Sequence, residues 1–220
     1  MLFPYERQHD PRGTWVTMQA HKRPLLLVST LLFMALCQSE EDFPRASAKQ
    51  LRLWKKFYVA TGGESWRHCS DAYHDPCSCS SGRRFVRCDS GGWITHIHLF
   101  NNGMRGTLPP TLGNFKRLIE LFVYENELVG AIPESIGQLQ RLRKLSLSSN
   151  SFGGELPEEL GECAKLSMLW LHNNQFRGEV PAEWSQLGEL DHLNLMANRG
   201  LNAHARAAAR EAFGDGVIYI

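Results

Sequence analysis

The sequence has no block of basic residues and no excess of either charge. Its 24 Lys and Arg stand against 23 Asp and Glu, a formal net charge of +1. Nucleic acid and anionic membrane surfaces are drawn to a clustered positive field, so no nucleic-acid partner is expected. Local catalytic frames are also missing. There is no nucleophile elbow, no Walker loop and no HExxH pair, the short motifs that activate a serine, cradle a phosphate or hold a catalytic zinc. Carboxylate pairs such as Glu158-Glu159 fall in segments expected to be solvated. An enzyme is not expected, and neither is a cofactor. Long apolar runs are absent too. The longest, Leu25–Leu36, is about 12 residues, short of the roughly 20 that cross a bilayer.

That short run reads as a secretory signal. His21, Lys22 and Arg23 form a basic opening, and Ala35-Leu36-Cys37 supplies a cleavage site before Gln38. Met18 followed by QAHKRP would begin an ordinary signal peptide, so Met18 is the expected start. No membrane span is expected in the mature chain, because no long apolar tail follows.

What is present is a repeat. Asn102, Asn126, Asn150, Asn174 and Asn198 recur every 24 residues. Gly106, Gly130, Gly154 and Gly178 keep the same step, as do Pro109, Pro133, Pro157 and Pro181. Each unit opens with alternating apolar residues, such as Leu118, Leu121 and Val123, or Leu142, Leu145 and Leu147. Period-two alternation predicts a strand with one inward face. So short a strand cannot bury a core alone, so neighbouring units must stack. An inward Asn carries donor and acceptor, and a column of five can satisfy backbone groups left unpaired at the turn. Gly then permits positive φ. Pro fixes φ and lacks an N–H, so this part of the unit is not expected to continue the strand ladder. The units close with Leu112-Gly113, Ile136-Gly137, Leu160-Gly161 and Leu187-Gly188.

This pattern resembles the plant-type leucine-rich repeat, LxxLxLxxNxLxGxIPxxLGxLxxL, and Leu121–Pro133 matches it closely. The resemblance covers about residues 45–200. It implies an α/β solenoid: a right-handed leucine-rich repeat superhelix of five repeats, with a helical N-terminal cap and a helix-and-strand C-terminal cap. The expected divisions are 1–37 signal, 45–93 N-terminal cap, 94–200 repeats and 201–220 C-terminal cap.

In the first cap, Ser47-Ala48-Lys49-Gln50 is a capping-box pattern, with Leu51, Trp54, Phe57 and Tyr58 at helical spacing after it. Thr61-Gly62-Gly63 ends the helix. It should cover the open end of the stack together with Trp66 and Trp93. Cys69, Cys77, Cys79 and Cys88, after a signal peptide, read as two disulfides with three possible connectivities. Asp75-Pro76-Cys77 and Val86-Arg87-Cys88 resemble the DPCxW…VxC cap of plant-type ectodomains, with Cys79 in place of the Trp. The expected pairing is Cys69–Cys77 and Cys79–Cys88. A zinc site using these cysteines with His68 and His74 is the rival. Cys163 is expected to act as a small buried hydrophobe.

In the second cap, Asn202–Phe213 is Ala-rich and reads as a helix. Val217-Ile218-Tyr219-Ile220 reads as a last strand, with Val217 and Tyr219 lying 24 residues after Leu193 and Leu195.

Strand residues that do not point inward should line the concave face. They form three columns: His98, Phe122, Ser146, Trp170 and Asn194; Phe100, Tyr124, Ser148, His172 and Met196; His96, Glu120, Lys144, Met168 and His192. Exposed aromatics are enriched at binding hot spots. His98, Phe100, Phe122, Tyr124, Trp170 and His172 are therefore the candidate ligand-binding residues, with Ser146 and Ser148 forming a shallow gap among them. The bland alternative is a ladder of stacked rings that stiffens the sheet. His96 and His98 have a spacing that can ligate metal, with Glu120 nearby, but two surface histidines are the preferred reading.

The expected function is a secreted or cell-surface recognition module that binds an extracellular protein or peptide through its concave face. The alternative is a structural, self-assembling wall or surface-antigen protein. The chain has no Asn-x-Ser/Thr acceptor, which argues against a plant cell-surface receptor and fits a small secreted protein of another lineage.

Overall fold

The computed structural model describes residues 45–214 and 218–219. The expected signal segment and Met18 lie outside them.

The alternating apolar residues build a main sheet of eight strands. In spatial order these are β1 (Ser80–Ser81), β2 (Arg84–Cys88), β3 (Ile94–His98), β5 (Glu120–Phe122), β7 (Lys144–Ser146), β9 (Met168–Trp170), β11 (His192–Asn194) and β13 (Ile218–Tyr219). From β3 onward the strands run parallel. The register repeats the sequence period: His96 lies opposite Glu120, Glu120 opposite Lys144, Lys144 opposite Met168 and Met168 opposite His192. Ile97, Leu121, Leu145, Leu169 and Leu193 point inward and are fully buried.

The residues between the ladder Asn and the Pro pair as well, which the sequence reading missed. They form a second parallel sheet of β4 (Arg105–Gly106), β6 (Glu127–Gly130), β8 (Ser151–Glu155), β10 (Asn174–Gly178) and β12 (Asn198–Leu201). Pro halts pairing only at its own position, because it alone lacks the N–H. The closing segments are 3-10 helices, Leu112–Asn114, Glu134–Gln138, Glu158–Glu162 and Ala182–Gln186.

A glycine recurs in these helices because the coils touch there. A Cβ on Gly137 would come within 2.6 Å of the Glu159 carbonyl oxygen, and one on Gly161 within 2.5 Å of that of Glu183. In the following coil the sequence reading placed Leu187-Gly188 at this position. The structure puts Trp184 there, 24 residues after Leu160, fully buried and donating from Nε1 to the Pro157 carbonyl at 2.9 Å. Nothing lies near a Cβ on Gly188, so no close contact dictates a glycine.

The Asn column joins neighbouring coils. Asn126 Oδ1 accepts from the backbone N–H of Asn102 and Met104 at 2.8 and 3.0 Å. Its Nδ2 donates to the carbonyls of Val123 and Leu99, one from its own coil and one from the coil before. Asn150, Asn174 and Asn198 repeat the pattern. Asn102 has no earlier repeat, so it binds the cap through the His68 N–H and C=O. Each Asn thus pairs polar groups that would be costly if left unsatisfied inside the stack.

The N-terminal cap is the helix α1, Ala48–Ala60. Trp54, Phe57, Tyr58 and Trp66 are buried and meet ring to ring. Only half of the capping box forms. Ser47 Oγ accepts from Gln50 N, but the Gln50 side chain turns inward and accepts from Ile94 N at 3.2 Å. It locks the helix onto the first repeat strand rather than onto its own end. Trp93 is only half-buried, with the Arg117 guanidinium 5.0 Å from its ring centre.

The expected disulfide pairing is overturned: the bonds are Cys69–Cys79 and Cys77–Cys88. The turn Pro76–Ser78 lies between Cys69 and Cys79. Cys69 and Cys79 are both buried in the core, whereas Cys77 and Cys88 are half-buried. Burial, not sequence proximity, sorts the pairs. With all four thiols used in disulfides, the zinc alternative falls. Cys163 is fully buried, and burial pushes its thiol up to about 12, so it packs as a small hydrophobe.

The C-terminal cap is the helix α2, Ala203–Phe213, followed by β13. Here the period slips. Leu193 pairs with Ile218 and Asn194 with Tyr219, a step of 25 rather than 24 residues. A one-residue slip exchanges the faces of a strand. Tyr219, expected to point inward like Leu195, instead joins the outward column and is 59% exposed. Residue 217 lies outside the described residues.

Candidate functional site

Every predicted binding residue lies on the open face of the main sheet, in the columns read from the sequence. The structure divides them into two groups with different surroundings.

At the N-terminal end the rings consume one another. His98 is stacked between Phe85 and Phe122, each 4.4 Å from it between ring centres. Phe100 lies parallel to Tyr124 at 4.7 Å. Phe85 was absent from the sequence reading. It stands opposite His98 on the antiparallel strand β2, and its signal was the alternation of Phe85 and Arg87 with the inward Val86. A charged cluster lies beside the stack. Glu120 accepts from His98 Nε2 at 2.8 Å and from Lys144 Nζ at 3.1 Å. His96 Nδ1 lies 2.9 Å from Thr95 Oγ1.

Burial holds His98 and His96 below the ordinary histidine value, outweighing the pull of Glu120. Burial alone would raise Glu120, but the hydrogen bond and charge of Lys144, followed by the two histidines, bring it below the usual carboxylate range. Near neutral pH, His98 is therefore an uncharged donor to an ionised Glu120. This engages the two groups that a metal would need. Among the described residues no group of three or more His, Cys, Asp or Glu is arranged to hold a metal ion.

Toward the C-terminal end the face changes. The expected gap at Ser146 and Ser148 is not open: both are buried, with their hydroxyl oxygens 3.3 Å apart. Their side chains are too short to rise above the flanking residues. Beyond them Trp170 is 38% exposed, Met196 49% and Tyr219 59%. These are three of the five large apolar side chains left exposed among the described residues. His172 stands beside Trp170, 6.4 Å between ring centres, and burial lowers its pKa. Asn194 lies between Trp170 and Tyr219 in one column, its Oδ1 accepting from Met196 N at 3.1 Å. Met196 was in the predicted columns but not among the candidate site residues.

The Leucine Rich Repeat family pattern matches residues 141–163 and 165–187. The chain folds as a leucine-rich repeat solenoid. Comparison of the sequence with curated proteins finds no match. Among solved structures, the solenoid is similar to one from the BIR3–SERK2 complex of Arabidopsis thaliana, with a TM-score of 0.63 and 25% identity over 76% of this chain and 90% of that one. It is also similar to a plant ice-binding protein, with a TM-score of 0.62 and 27% identity over 70% of this chain and 49% of that one. A structure of PEPR1–AtPEP1 shares the fold, with a TM-score of 0.61 and 21% identity over 68% of this chain. The solenoid spans only 22% of that protein. No helix of the described residues is long and apolar enough to cross a membrane.

Proposed function

We propose that this protein is a secreted or cell-surface recognition module that binds a protein or peptide through the concave face of its solenoid. The observation that carries the reading is the grouping of Trp170, Met196 and Tyr219, exposed together on one face. Exposed aromatic and Met side chains cost free energy in water and are the types enriched at interface centres. Two disulfides support an oxidising, extracellular compartment, as does the signal-like stretch at residues 21–37. The similar fold in the BIR3–SERK2 complex is that of a protein caught with a protein partner.

The test is an extracellular interaction screen with the protein from Gln38 onward. A parallel variant carries Trp170→Ala and Met196→Ala, with its fold checked by circular dichroism. A partner captured by the parent and lost by the variant supports the reading. A partner retained by the folded variant moves the site to an edge or cap. If nothing is captured and light scattering shows concentration-dependent assembly, the protein is a self-assembling structural module instead.

A further inference from the structure

Trp170, Asn194 and Tyr219 occupy one column on three successive strands. Neighbouring strands stand about 4.8 Å apart, so the two aromatic residues are separated by roughly 9.6 Å across the sheet. A peptide that touches both must repeat its side chains at that distance. An extended β peptide returns to the same face every two residues, about 6.7 Å, and then at about 13 Å. A helix would set a side chain down every 5–6 Å, onto the middle strand where the polar Asn194 stands. Polyproline II has three residues per turn and rises 3.1 Å per residue, so residues i and i+3 share a side about 9.3 Å apart. Only the last spacing fits.

We propose that strands β9, β11 and β13 bind a proline-rich segment in the polyproline II conformation, lying across the strands with residues i and i+3 on Trp170 and Tyr219. This assignment rests on the concave-face recognition reading and names its partner class. Three features of the surface suit such a segment. Trp170 and Tyr219 are 38% and 59% exposed, and flat aromatic rings are the surfaces on which proline rings rest. Asn194 stands between them. Its Oδ1 is taken up by Met196 N, which orients the amide and leaves Nδ2 as the donor. A polyproline II backbone makes no internal hydrogen bonds, so its carbonyls are free to accept. Charge agrees as well: Met168, Trp170, His172, Asn194, Met196 and Tyr219 include no Asp, Glu, Lys or Arg, so the face suits an uncharged chain.

The test is fluorescence anisotropy of a fluorescein-labelled dodecaproline against the purified full-length secreted protein. A Gly/Ser peptide of equal length is the comparator, and a cello-oligosaccharide tests whether the rings stack on sugar instead. The expected result is binding of dodecaproline but not of the Gly/Ser peptide. Trp170→Ala and Tyr219→Ala should each weaken it about tenfold or more. Asn194→Ala should weaken it less, and Phe122→Ala by no more than about twofold. Circular dichroism must show each variant folded. No binding of dodecaproline, or equal binding after both aromatic substitutions, overturns the proposal. So does binding of the sugar in place of the peptide. If the screen meanwhile finds a partner that depends on Trp170, the recognition reading survives and the polyproline assignment alone fails.

Discussion

The two ends of the open face share one scaffold and use it differently. Around β2, β3 and β5 the outward rings stack at 4.4 to 4.7 Å, close to the strand spacing itself. Each ring is covered by the next, and the Glu120 carboxylate ties His98 to Lys144. Around β9, β11 and β13 the column reads Trp170, Asn194 and Tyr219, so no ring follows a ring on the adjacent strand. Buried aliphatic residues support both ends, Val86, Ile97 and Leu121 at one and Leu169 and Leu193 at the other. An aromatic side chain on a parallel sheet is therefore partly covered when either neighbour in its column is aromatic, and left open when both neighbours are small or polar. His98, Phe100, Phe122 and Tyr124 each have such a neighbour, whereas Trp170 stands between Ser146 and Asn194; we propose that the first four stiffen the sheet and that Trp170 makes contact.

The largest expected effect tests the claim that the scaffold is the same at both ends. Asn126→Leu and Asn174→Leu each remove the amide that joins two coils, and each should cost about 3 kcal/mol or more in urea unfolding. A cost at one site much below the other would break the equivalence. The next effect separates the two uses of an aromatic residue. Phe122→Ala removes a ring from a stack and should lower stability by about 1–2 kcal/mol while sparing partner binding. Trp170→Ala should change stability by less than about 0.5 kcal/mol while abolishing it. If the two outcomes were exchanged, the division drawn here would be wrong.

The smallest effect is a pH dependence weighted toward the N-terminal end. His96 and His98 are held below their ordinary value of 6.5 when folded. The unfolded chain therefore binds protons first as the pH drops. Stability is fully present above about 6.5 and is lost as pH falls from there through the folded values. Below about 4.5 and 3.8, Glu120 and Asp89, both lowered in the fold, add losses of the same sign. Replacing His96 and His98 together by Gln should flatten the fall between pH 7 and 5 more than His172→Gln does. Urea midpoints across that range measure it, and equal slopes in the two variants would locate the acid sensitivity elsewhere.

Much of the molecule was legible because the repeat is physical. A 24-residue step with Leu, Asn, Gly and Pro in fixed places dictates inward strands, a hydrogen-bonding column and a stack, and the columns followed from counting alone. What was not legible depended on contacts between distant segments. Phe85 belongs to a strand outside the repeat. Trp184 replaced a leucine without altering the frame, so its place was hidden by the nearby Leu187-Gly188. The residue before each ladder Asn, including Glu125 and Ala197, takes positive φ, although neither type favours it. Stacking imposes that turn and local preference does not foretell it.

The sequence by itself thus determined the solenoid, its period and which side chains face outward within the 24-residue repeats, because each of these follows from local alternation and from the need of every short strand for a neighbour. Tertiary structure decided the disulfide pairing, since two buried cysteines meet whatever their order along the chain. It decided the one-residue slip that turns Tyr219 outward, since the pairing of β13 with β11 steps by 25 residues where the sequence period is 24. It also decided which outward aromatics cover one another and which remain exposed, because that depends on the side chain one strand away, 24 or 25 residues distant in the chain.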